Sequence, residues 1–299
     1  MIISGDQIAE EIRYELTQEV SRMNAPLTLV IVQVGEHPAS SQYVRKKMAF
    51  ANSLGINAEP KKFDVGITEE ALKKELAHIV ADMNHDPYAF TGIIVQLPLP
   101  KELDTEKILA EIPAENDVDL LSQEAIEKFN TGTSRILPPV VGAVAEILRR
   151  AHVSVAGKKA VVVGRGKLVG KPAAVWLEHE GAQVVIANRS TEDLAKLTRE
   201  ADIIITGVGS AKLITPAMVK QGVILIDAGT SDSSRAQSRE SEDRPSSSSG
   251  QRAELVGDAD PACAPKCSIF TPVPGGVGPM TVAMLFKNLI ELAKAQNSF

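Results

Sequence analysis

The sequence predicts an α/β protein of two domains, the second Rossmann-like with a parallel sheet. Its 299 residues exceed one average domain and are enough for two that each bury a core. β-Branched runs such as LTLVIVQV at 27–34 alternate with amphipathic stretches, which indicates parallel βαβ units. A glycine-rich segment at 164–170 follows one such run and opens a predicted helix, as in dinucleotide-binding domains. We expect residues 1–139 and 279–299 to form the first domain and 140–278 to form the second.

The first half of the chain alternates between helical and strand patterns. Apolar residues recur every four positions from Ile8 to Val20, which predicts an amphipathic helix over 6–23. The run at 27–34 is almost continuously apolar, as expected of a strand buried on both faces. The patterns that follow predict a helix at 40–54, a weak strand at 57–63, a helix at 69–84, a strand at 90–95, an irregular proline-punctuated stretch at 98–122 and a helix from about Val140 to Ala151.

The second half repeats this alternation from Lys159 onward. The predicted strands lie at 160–164, 183–188, 202–207 and 223–229, and the predicted helices at 169–180 and 191–199. Residues 231–252 are serine-rich and charged and contain no large apolar side chain, so we expect a disordered surface loop there. An apolar helix from about Pro279 to Lys294 is expected to return to the first domain.

Composition argues against several classes of function. The formal net charge is -6, the pI is about 5.5 and only one Trp is present, so a nucleic-acid partner is not expected. No apolar run reaches the ~18 residues of a membrane span and no basic start precedes an apolar run, so we expect a cytoplasmic protein without a membrane partner. Cys263 and Cys267 lack the further His or Cys ligands of a metal site, and we interpret them as reduced thiols.

A glycine loop between a predicted strand and a predicted helix is the candidate cofactor site. Gly164, Gly166 and Gly170 have the spacing GxGxxxG, and the amides and dipole of the following helix can face a pyrophosphate. We therefore assign dinucleotide binding to Gly164, Arg165, Gly166, Val169 and Gly170. A tight turn that binds no ligand is the alternative interpretation.

The end of the next strand indicates which dinucleotide binds. NAD-specific sites place an acidic side chain there to accept from the ribose hydroxyls, but this strand leads into Arg189 and Ser190. Arg189 could hold a 2′-phosphate together with Arg165, with Ser190 or Thr191 donating a hydrogen bond. The pattern predicts NADP, and the alternative is that both arginines are solvated loop residues.

A lysine in the second predicted helix falls on its apolar face. At about 100° per residue, Lys47 lies within about 60° of Tyr43 and Leu54. The neighbouring cations Arg45 and Lys46 point elsewhere. An ammonium on that face loses hydration unless a carboxylate pairs with it, which makes Lys47 a candidate acid/base group. Alternatively, its stem covers apolar surface while the ammonium reaches water.

Polar residues beyond the strand at 90–95 are further candidates. Gln96 stands just past the carboxyl end of that strand, where open parallel sheets present groups to ligands. Asp117 and Asp119 alternate in a loop, so only one of them need face a site. The alternative for these carboxylates is a turn-forming or helix-capping role.

Together these features resemble the bifunctional methylenetetrahydrofolate dehydrogenase/methenyltetrahydrofolate cyclohydrolase family over nearly the whole chain. The motifs that carry the resemblance, in family order, are PASSQYVRKK (38–47), VQLPLP (95–100), DVD (117–119), GRGKLVGKP (164–172) and TPVPGGVGPMT (271–281). The resemblance implies oxidation of 5,10-methylenetetrahydrofolate by hydride transfer to NADP+, followed by hydrolysis of the methenyl product to 10-formyltetrahydrofolate. It also implies a homodimer formed through the cofactor domain.

The resemblance assigns catalytic and substrate-binding roles to individual residues. Lys47 matches the family's catalytic lysine, and Gln96 matches the glutamine that supports it. Asp119 matches the aspartate that anchors the pterin ring, Tyr43 the tyrosine near the pterin, and Ser40 the serine that opens the same motif. The loop expected to border the folate pocket, whose glycines permit close backbone approach, consists of Pro274, Gly275, Gly276, Val277 and Gly278.

Several positions depart from the family pattern. Leu120 follows Asp119 where the family commonly has glycine, and 137–142 reads LPPVVG in place of PCTPxG. The usual GRS of the cofactor loop is GRG here, so Gly166 lacks a hydroxyl, whereas Arg189 restores affinity for phosphate. The serine-rich segment also exceeds the usual connection. These departures bear on substrate affinity more than on the fold.

Two other classes of function account for parts of the sequence. An NADP-dependent dehydrogenase of a shikimate-type acid shares a two-domain layout and a catalytic lysine, but it does not account for VQLPLP or PGGVGPMT. A non-catalytic folate or NADP sensor would not need Lys47, Gln96 and Asp119 together.

Overall fold

The computed structural model describes residues 1–23, 25–36, 38–83, 89–232 and 255–296. The chain divides into two compact units, in agreement with the predicted two-domain α/β class. The first unit comprises Ala9–Pro139 and Val282–Phe299, and the second comprises Met1–Ile8 and Val140–Thr281.

Residues 1–8 and 279–281 group with the second unit, whereas we expected them in the first domain. The reason at the N-terminus is backbone pairing. The Ile3 amide donates to the Phe270 carbonyl at 2.9 Å, and the Phe270 amide donates to the Met1 carbonyl at 2.9 Å. A pairing of this length is too short to produce a periodic pattern in the sequence.

The helices and strands of the described residues are numbered here in chain order. The helices are α1 (Gly5–Val20), α2 (Pro38–Leu54), α3 (Glu69–Met83), α4 (Thr105–Leu109), α5 (Gln123–Asn130), α6 (Pro139–Arg150), α7 (Gly170–His179), α8 (Leu194–Glu200) and α9 (Val277–Gln296). The strands are β1 (Leu27–Val34), β2 (Asn57–Phe63), β3 (Phe90–Val95), β4 (Lys159–Val163), β5 (Gln183–Ala187), β6 (Ile203–Thr206), β7 (Val223–Asp227), β8 (Ser231–Asp232), β9 (Leu255–Val256) and β10 (Cys267–Phe270). Short 3₁₀ helices cover Pro216–Met218 and Pro261–Lys266.

The first unit contains a three-stranded parallel sheet in the order β2-β1-β3. Leu72 and Leu76 of α3 share one core cluster with Val32 of β1. Leu29 and Ile31, which point to the opposite face of β1, are also fully buried. Burial on both faces explains why this strand is a continuous apolar run, and all three strands predicted in this half are confirmed.

The second unit contains a five-stranded sheet in the order β10-β7-β6-β4-β5, with every pairing parallel. The chain passes from β4 outward to β5 and then returns to the other side of β4 with β6. The strand order therefore reverses between β4 and β6. In open α/β sheets, ligands bind in the crevice outside the carboxyl ends of the strands at such a switch point.

Helix α4 lies within the stretch at 98–122 that was predicted to be irregular, and α5 follows directly after it, where no helix was predicted. Asp104 caps α4 by accepting from the amides of Glu106 and Lys107 at 3.1 and 3.3 Å. The Ser122 hydroxyl caps α5 by accepting from the Ala125 amide at 3.4 Å. Both helices are short, so their hydrophobic periodicity is weak, but these N-cap residues are signals that the sequence contained.

The prediction of a disordered loop at 231–252 is wrong for its first two residues. Ser231 and Asp232 form β8, which pairs antiparallel with β9. The remainder of that prediction, 233–252, lies outside the described residues. Among the helices that the structure describes, none is long and apolar enough to cross a membrane.

Candidate active site and cofactor site

Helix α2 buries one stripe of its surface, and Lys47 lies within it. The buried members of the stripe are Ser40, Val44, Lys47, Ala51 and Leu54. Tyr43, which we expected on the apolar face, is instead 42% exposed. The stripe is centred on the Val44 side of Lys47, so Tyr43 lies about 60° from its centre.

The Lys47 ammonium has two polar neighbours from other parts of the first unit. Its Nζ donates to Gln96 Oε1 at 3.2 Å and lies 3.7 Å from Asp119 Oδ2. The side chain of Lys47 is 10% exposed and that of Asp119 is 22% exposed. An ammonium carries three donors, so at least one N–H remains for a ligand. The structure thus brings together three of the predicted catalytic residues.

Gln96 is held by the end of the first sheet. Its amide donates to the Val32 carbonyl at 2.8 Å, which extends the pairing of β3 with β1 by one residue. Its side-chain Nε2 donates to the Leu97 carbonyl at 2.9 Å. Because Nε2 is occupied in this way, the acceptor Oε1 is the atom that faces Lys47.

The loop that carries Asp119 is anchored by Asn116 and Asp117. Asn116 accepts from the Ile93 amide through its carbonyl and donates from Nδ2 to the Thr91 carbonyl, both at 2.8 Å. Asp117 is 1% exposed, and its Oδ2 accepts from the amides of residues 121 and 122 at 2.8 and 2.6 Å. Burial raises the pKa of Asp117. Asp117 therefore organises the loop, while Asp119 is the carboxylate that reaches Lys47.

The backbone around Asp119 has an unusual conformation, and Asn288 of α9 supports it. Leu120 is 2% exposed and has φ +57°, which residues other than glycine rarely adopt. Asn288 of α9 donates from Nδ2 to the carbonyls of Val118 and Leu137, at 2.9 and 2.8 Å. The role of Asn288 is not predictable from the sequence, because a lone polar residue in an apolar helix does not indicate its partners.

Aromatic side chains flank the lysine on α2. Phe50 stacks on Phe286 of α9, with ring centroids 5.2 Å apart. The exposed ring of Tyr43 lies 5.8 Å from Lys46 Nζ. An exposed aromatic ring one helical turn before Lys47 is available to stack on a planar ligand.

The predicted glycine loop of the second unit folds back on the start of α7. The Gly164 amide donates to the Ala187 carbonyl at 2.8 Å, and Gly164 has φ +115°. A Cβ on Gly170 would overlap the Gly164 carbonyl oxygen, so only glycine fits there. Helix α7 has no side-chain cap at Val169. In its first turn the Lys171 amide donates to the Gly166 carbonyl at 3.0 Å and Pro172 has no N–H, so the Gly170 amide and the helix dipole are what this turn offers a dinucleotide pyrophosphate.

The other wall of this crevice is the loop that follows β6. A Cβ on Gly207 would overlap the Val169 side chain, and a Cβ on Gly164 would meet the Gly207 carbonyl oxygen at 3.3 Å. The loops after β4 and β6 are thus in direct contact at the switch point of the sheet. The role of Gly207 is not predictable from the sequence, since a single glycine after a strand is also an ordinary turn signal.

The loop after β5 presents the two residues predicted to distinguish NADP from NAD. Asn188 Oδ1 accepts from the Ser190 amide at 2.8 Å and from the Ser190 hydroxyl at 2.6 Å, and Thr191 Oγ1 accepts from the Asn188 amide at 2.9 Å. Arg189 projects from this ordered turn and is exposed. Arg165 is exposed as well, and neither arginine forms an ion pair within the described part of the chain.

The proline–glycine loop belongs to the second unit and is fixed by the N-terminal segment. The Gly5 amide donates to the Gly275 carbonyl at 2.7 Å, and a Cβ on Gly5 would overlap the Gly276 carbonyl oxygen. Gly275 needs glycine for its φ of +96°. Helix α9 already begins at Val277, two residues before the predicted start, so Gly278 lies in its first turn.

The two cysteines are buried free thiols. Burial raises the pKa of Cys263 to about 12 and that of Cys267 to about 11, so both are unreactive at neutral pH. Across the residues that the structure covers, no group of three or more His, Cys, Asp or Glu side chains could hold a metal ion.

Comparison with known proteins places both units in one family. The model described as tetrahydrofolate dehydrogenase/cyclohydrolase, catalytic domain, matches residues 3–119, and the NAD(P)-binding domain of the same family matches residues 138–297. The bifunctional protein FolD of Moorella thermoacetica is 39% identical over 297 residues, covering 98% of each chain. The FolD protein of Exiguobacterium sibiricum is 37% identical over 298 residues, covering 98% of this chain and 99% of the relative.

Solved structures agree over the same extent. The bifunctional FolD methylenetetrahydrofolate dehydrogenase/cyclohydrolase of Campylobacter jejuni has a TM-score of 0.85 and 33% identity, covering 99% of both chains. The Trypanosoma brucei FolD enzyme, complexed with NADP cofactor and an inhibitor, has a TM-score of 0.85 and 32% identity, covering 99% of this chain and 97% of that chain. The chain therefore belongs to the tetrahydrofolate dehydrogenase/cyclohydrolase family.

Proposed function

We propose that this protein oxidises 5,10-methylenetetrahydrofolate with NADP+ and hydrolyses the methenyl product to 10-formyltetrahydrofolate. The observation that carries the proposal is the contact of Lys47 with Gln96 and Asp119, in a chain that matches both domains of a bifunctional family. Family membership leaves the shikimate-type dehydrogenase without support.

The second unit supplies the NADP site. The uncapped start of α7 and the close-packed Gly164 and Gly170 hold the pyrophosphate. Arg189 and Arg165 hold the 2′-phosphate, since a guanidinium without an ion pair in the described chain is available for a bidentate contact with phosphate. Ser190 completes that contact when its hydroxyl, which donates to Asn188 Oδ1 in the structure, turns to donate to the 2′-phosphate.

The first unit holds the folate and manages protons. The partly exposed carboxylate of Asp119 accepts from the pterin ring, and Tyr43 and Ser40 line the same side of α2. The role of the loop Pro274–Gly278 at the folate stays a prediction of the family resemblance. Bound NADP+ supplies a hydride acceptor, and the protein contributes to that step by positioning the folate.

Lys47 acts in the hydrolytic step. Water adds to the methenyl carbon and releases one proton to solvent. As the bond from that carbon to the pterin-ring nitrogen breaks, the Lys47 ammonium gives a proton to the nitrogen. The amine then takes back the hydroxyl proton as the formyl C=O forms, so Lys47 ends as it began. Gln96 Oε1 fixes the direction of the ammonium throughout.

Lys47→Met tests this role. We expect methenyltetrahydrofolate hydrolysis to fall by about 10²–10⁴-fold, the usual contribution of one general acid/base, while NADPH binding is unchanged. Arg45→Met is the matched control, because it removes an exposed cation from the same helix. Hydrolysis at the wild-type rate by folded Lys47→Met would overturn the assignment. Wild-type protein that binds NADPH but turns over neither folate would instead support a non-catalytic sensor.

Arg189→Asp tests the choice of cofactor. Loss of one hydrogen bond to a charged group costs about 1.5–3 kcal/mol, so we expect kcat/KM for NADP+ to fall by about 10–100-fold. The activity with NAD+ should change far less, because the 2′-phosphate is absent from NAD+. An unchanged ratio of the two cofactors would remove Arg189 from the site.

The assembly we propose is a homodimer formed along β5. This strand is the last in the sheet order, and Val185 on it is 44% exposed. An apolar unpaired edge of this kind is a ready surface for a second copy of the chain. Sedimentation velocity should give a dimer for the wild type and a monomer for Val185→Lys, and a monomeric wild type would contradict the proposal.

We also propose that the enzyme is cytoplasmic. Cys263 and Cys267 are free thiols, which is usual in a reducing compartment. Cell fractionation with an antibody against the chain would test the location.

A further inference from the structure

Two carboxylates are buried next to the carboxyl edge of the second sheet, and the proposed mechanism uses neither. Asp227 ends β7 and is 1% exposed, and Asp258 follows β9 and is 0% exposed. Within the described residues neither carboxylate has a cation as partner. Burying two uncompensated acids is costly, so their retention needs a reason.

Three donors at and just beyond the end of β6 bind the Asp258 carboxylate. Its Oδ2 accepts from the Thr206 hydroxyl at 2.8 Å and from the Val208 amide at 2.7 Å, and its Oδ1 accepts from the Ser210 amide at 2.6 Å. An asparagine would turn an NH₂ group toward one of these donors and lose the bond. The carboxylate is therefore specifically suited to hold this loop.

Asp227 makes the corresponding contacts on its own side. Its Oδ1 accepts from the Gly229 amide at 2.9 Å and its Oδ2 from the Ala259 amide at 2.8 Å. A glycine near each acid packs against the carboxylate of the other. A Cβ on Gly229 would overlap the Asp258 carboxylate, and a Cβ on Gly257 would overlap the Asp227 carboxylate. Burial raises the pKa of Asp227 to about 7, with the nearby Asp258 charge adding to the effect.

The loop that Asp258 holds is one wall of the crevice at the switch point. Gly207, the first residue of this loop, packs against Val169 of the glycine loop. The Gly207 carbonyl lies beside Gly164. A shift of this wall would therefore move the cradle into which the dinucleotide fits.

We propose that Asp258, supported by Asp227, is a positioning residue for the cofactor, holding the Gly207–Ser210 loop so that the crevice between β4 and β6 accepts NADP. The inference rests on the proposed NADP site of the second unit. Asp258 itself is fully buried and acts through the loop.

Asp258→Asn tests the inference through two readouts. We expect the Kd for NADPH, measured by titration calorimetry, to rise by about tenfold or more, as for the loss of one hydrogen bond to a charged group. Hydrolysis of methenyltetrahydrofolate consumes no NADP, so its kcat and KM should stay within about twofold of wild type. A purely structural role would lower both activities in proportion to the unfolded fraction.

The outcomes separate this inference from the proposed function. An Asp258→Asn protein with a wild-type Kd for NADPH would overturn it, whatever the folate activities are. Wild-type protein that fails to turn over folate would sink the proposed reaction but leave the comparison of Kd values valid. If Asp258→Asn does not fold, Thr206→Val and Thr206→Ser replace it. Only the valine variant loses a donor to Asp258 and should bind NADPH more weakly, and equal Kd values for the two would overturn the inference.

Discussion

Replacing Leu120 by glycine should cost less stability than replacing it by alanine, the reverse of the usual order. Both variants delete a side chain that is 2% exposed, which costs about 2–5 kcal/mol for Leu→Ala in a core. The variants differ in what φ +57° demands. Alanine keeps a Cβ that penalises the left-handed region by about 1–2 kcal/mol, whereas glycine has none.

The opposing term comes from the unfolded chain. Glycine gives up about 0.5–1 kcal/mol more backbone entropy on folding than alanine does. The difference of the two terms leaves Leu120→Gly more stable than Leu120→Ala by roughly 0.5–1 kcal/mol. Leu16, which is 3% exposed in α1, is the matched control. In a helix, the alanine variant should be more stable than the glycine variant by about 1 kcal/mol.

Urea unfolding of the four variants, followed by circular dichroism, measures the swing between the two positions. We expect the difference in unfolding free energy between the glycine and alanine variants to change sign from position 16 to position 120, with a total change of about 1.5–2 kcal/mol. If glycine is worse than alanine at both positions by the same margin, the left-handed backbone at Leu120 is refuted. The loop presenting Asp119 would then need a different account.

Two further predictions concern the second unit. The pKa of Asp227 is raised to about 7 in the fold, from 3.8. Its contribution to stability, on the order of 4 kcal/mol, is present below about pH 4 and lost as pH rises through about 7. Asp227→Asn should therefore flatten the fall in unfolding free energy between about pH 4 and about pH 7, and parallel curves of unfolding free energy against pH for wild type and variant would contradict this expectation. Gly170→Ala should abolish NADPH binding and leave hydrolysis of methenyltetrahydrofolate intact, because its Cβ overlaps the Gly164 carbonyl oxygen; calorimetry that finds unchanged NADPH affinity would show that this turn does not hold the cofactor.

The strands were predictable because burial on both faces of a strand requires a continuous run of apolar residues in the sequence. Every residue from Leu29 to Val34 is buried, and the run contains no charge. The short helices have no comparable apolar pattern. Five residues are too few to display a period of 3.6, so α4 was identifiable only through its cap at Asp104. The pairing of residues 1–3 with Phe270 depends on a contact between the two ends of the chain, which no local pattern reports.

The candidate site was predictable in its residue types and less so in its geometry. Helical periodicity placed Lys47 on the buried face, and the end of a parallel strand placed Gln96 at the edge of the sheet. Their contact is tertiary, and only the family resemblance implied it. Periodicity also placed Tyr43 on that face, but the true stripe is rotated toward Val44. Choosing between Asp117 and Asp119 required knowing that the amides of residues 121 and 122 turn back onto Asp117, which is tertiary information.

Leu120 shows how a departure from a family pattern is to be interpreted. A glycine at this position would suggest that the backbone beyond Asp119 needs freedom, and its absence suggested an altered loop. The structure instead keeps φ +57° with a leucine, buries the side chain and fixes the preceding carbonyl through Asn288. With leucine at this position, Asp119 lies 3.7 Å from Lys47. The departure from the family pattern at position 120 thus leaves the Asp119 carboxylate within reach of Lys47, which is the geometry that the proposed reaction requires.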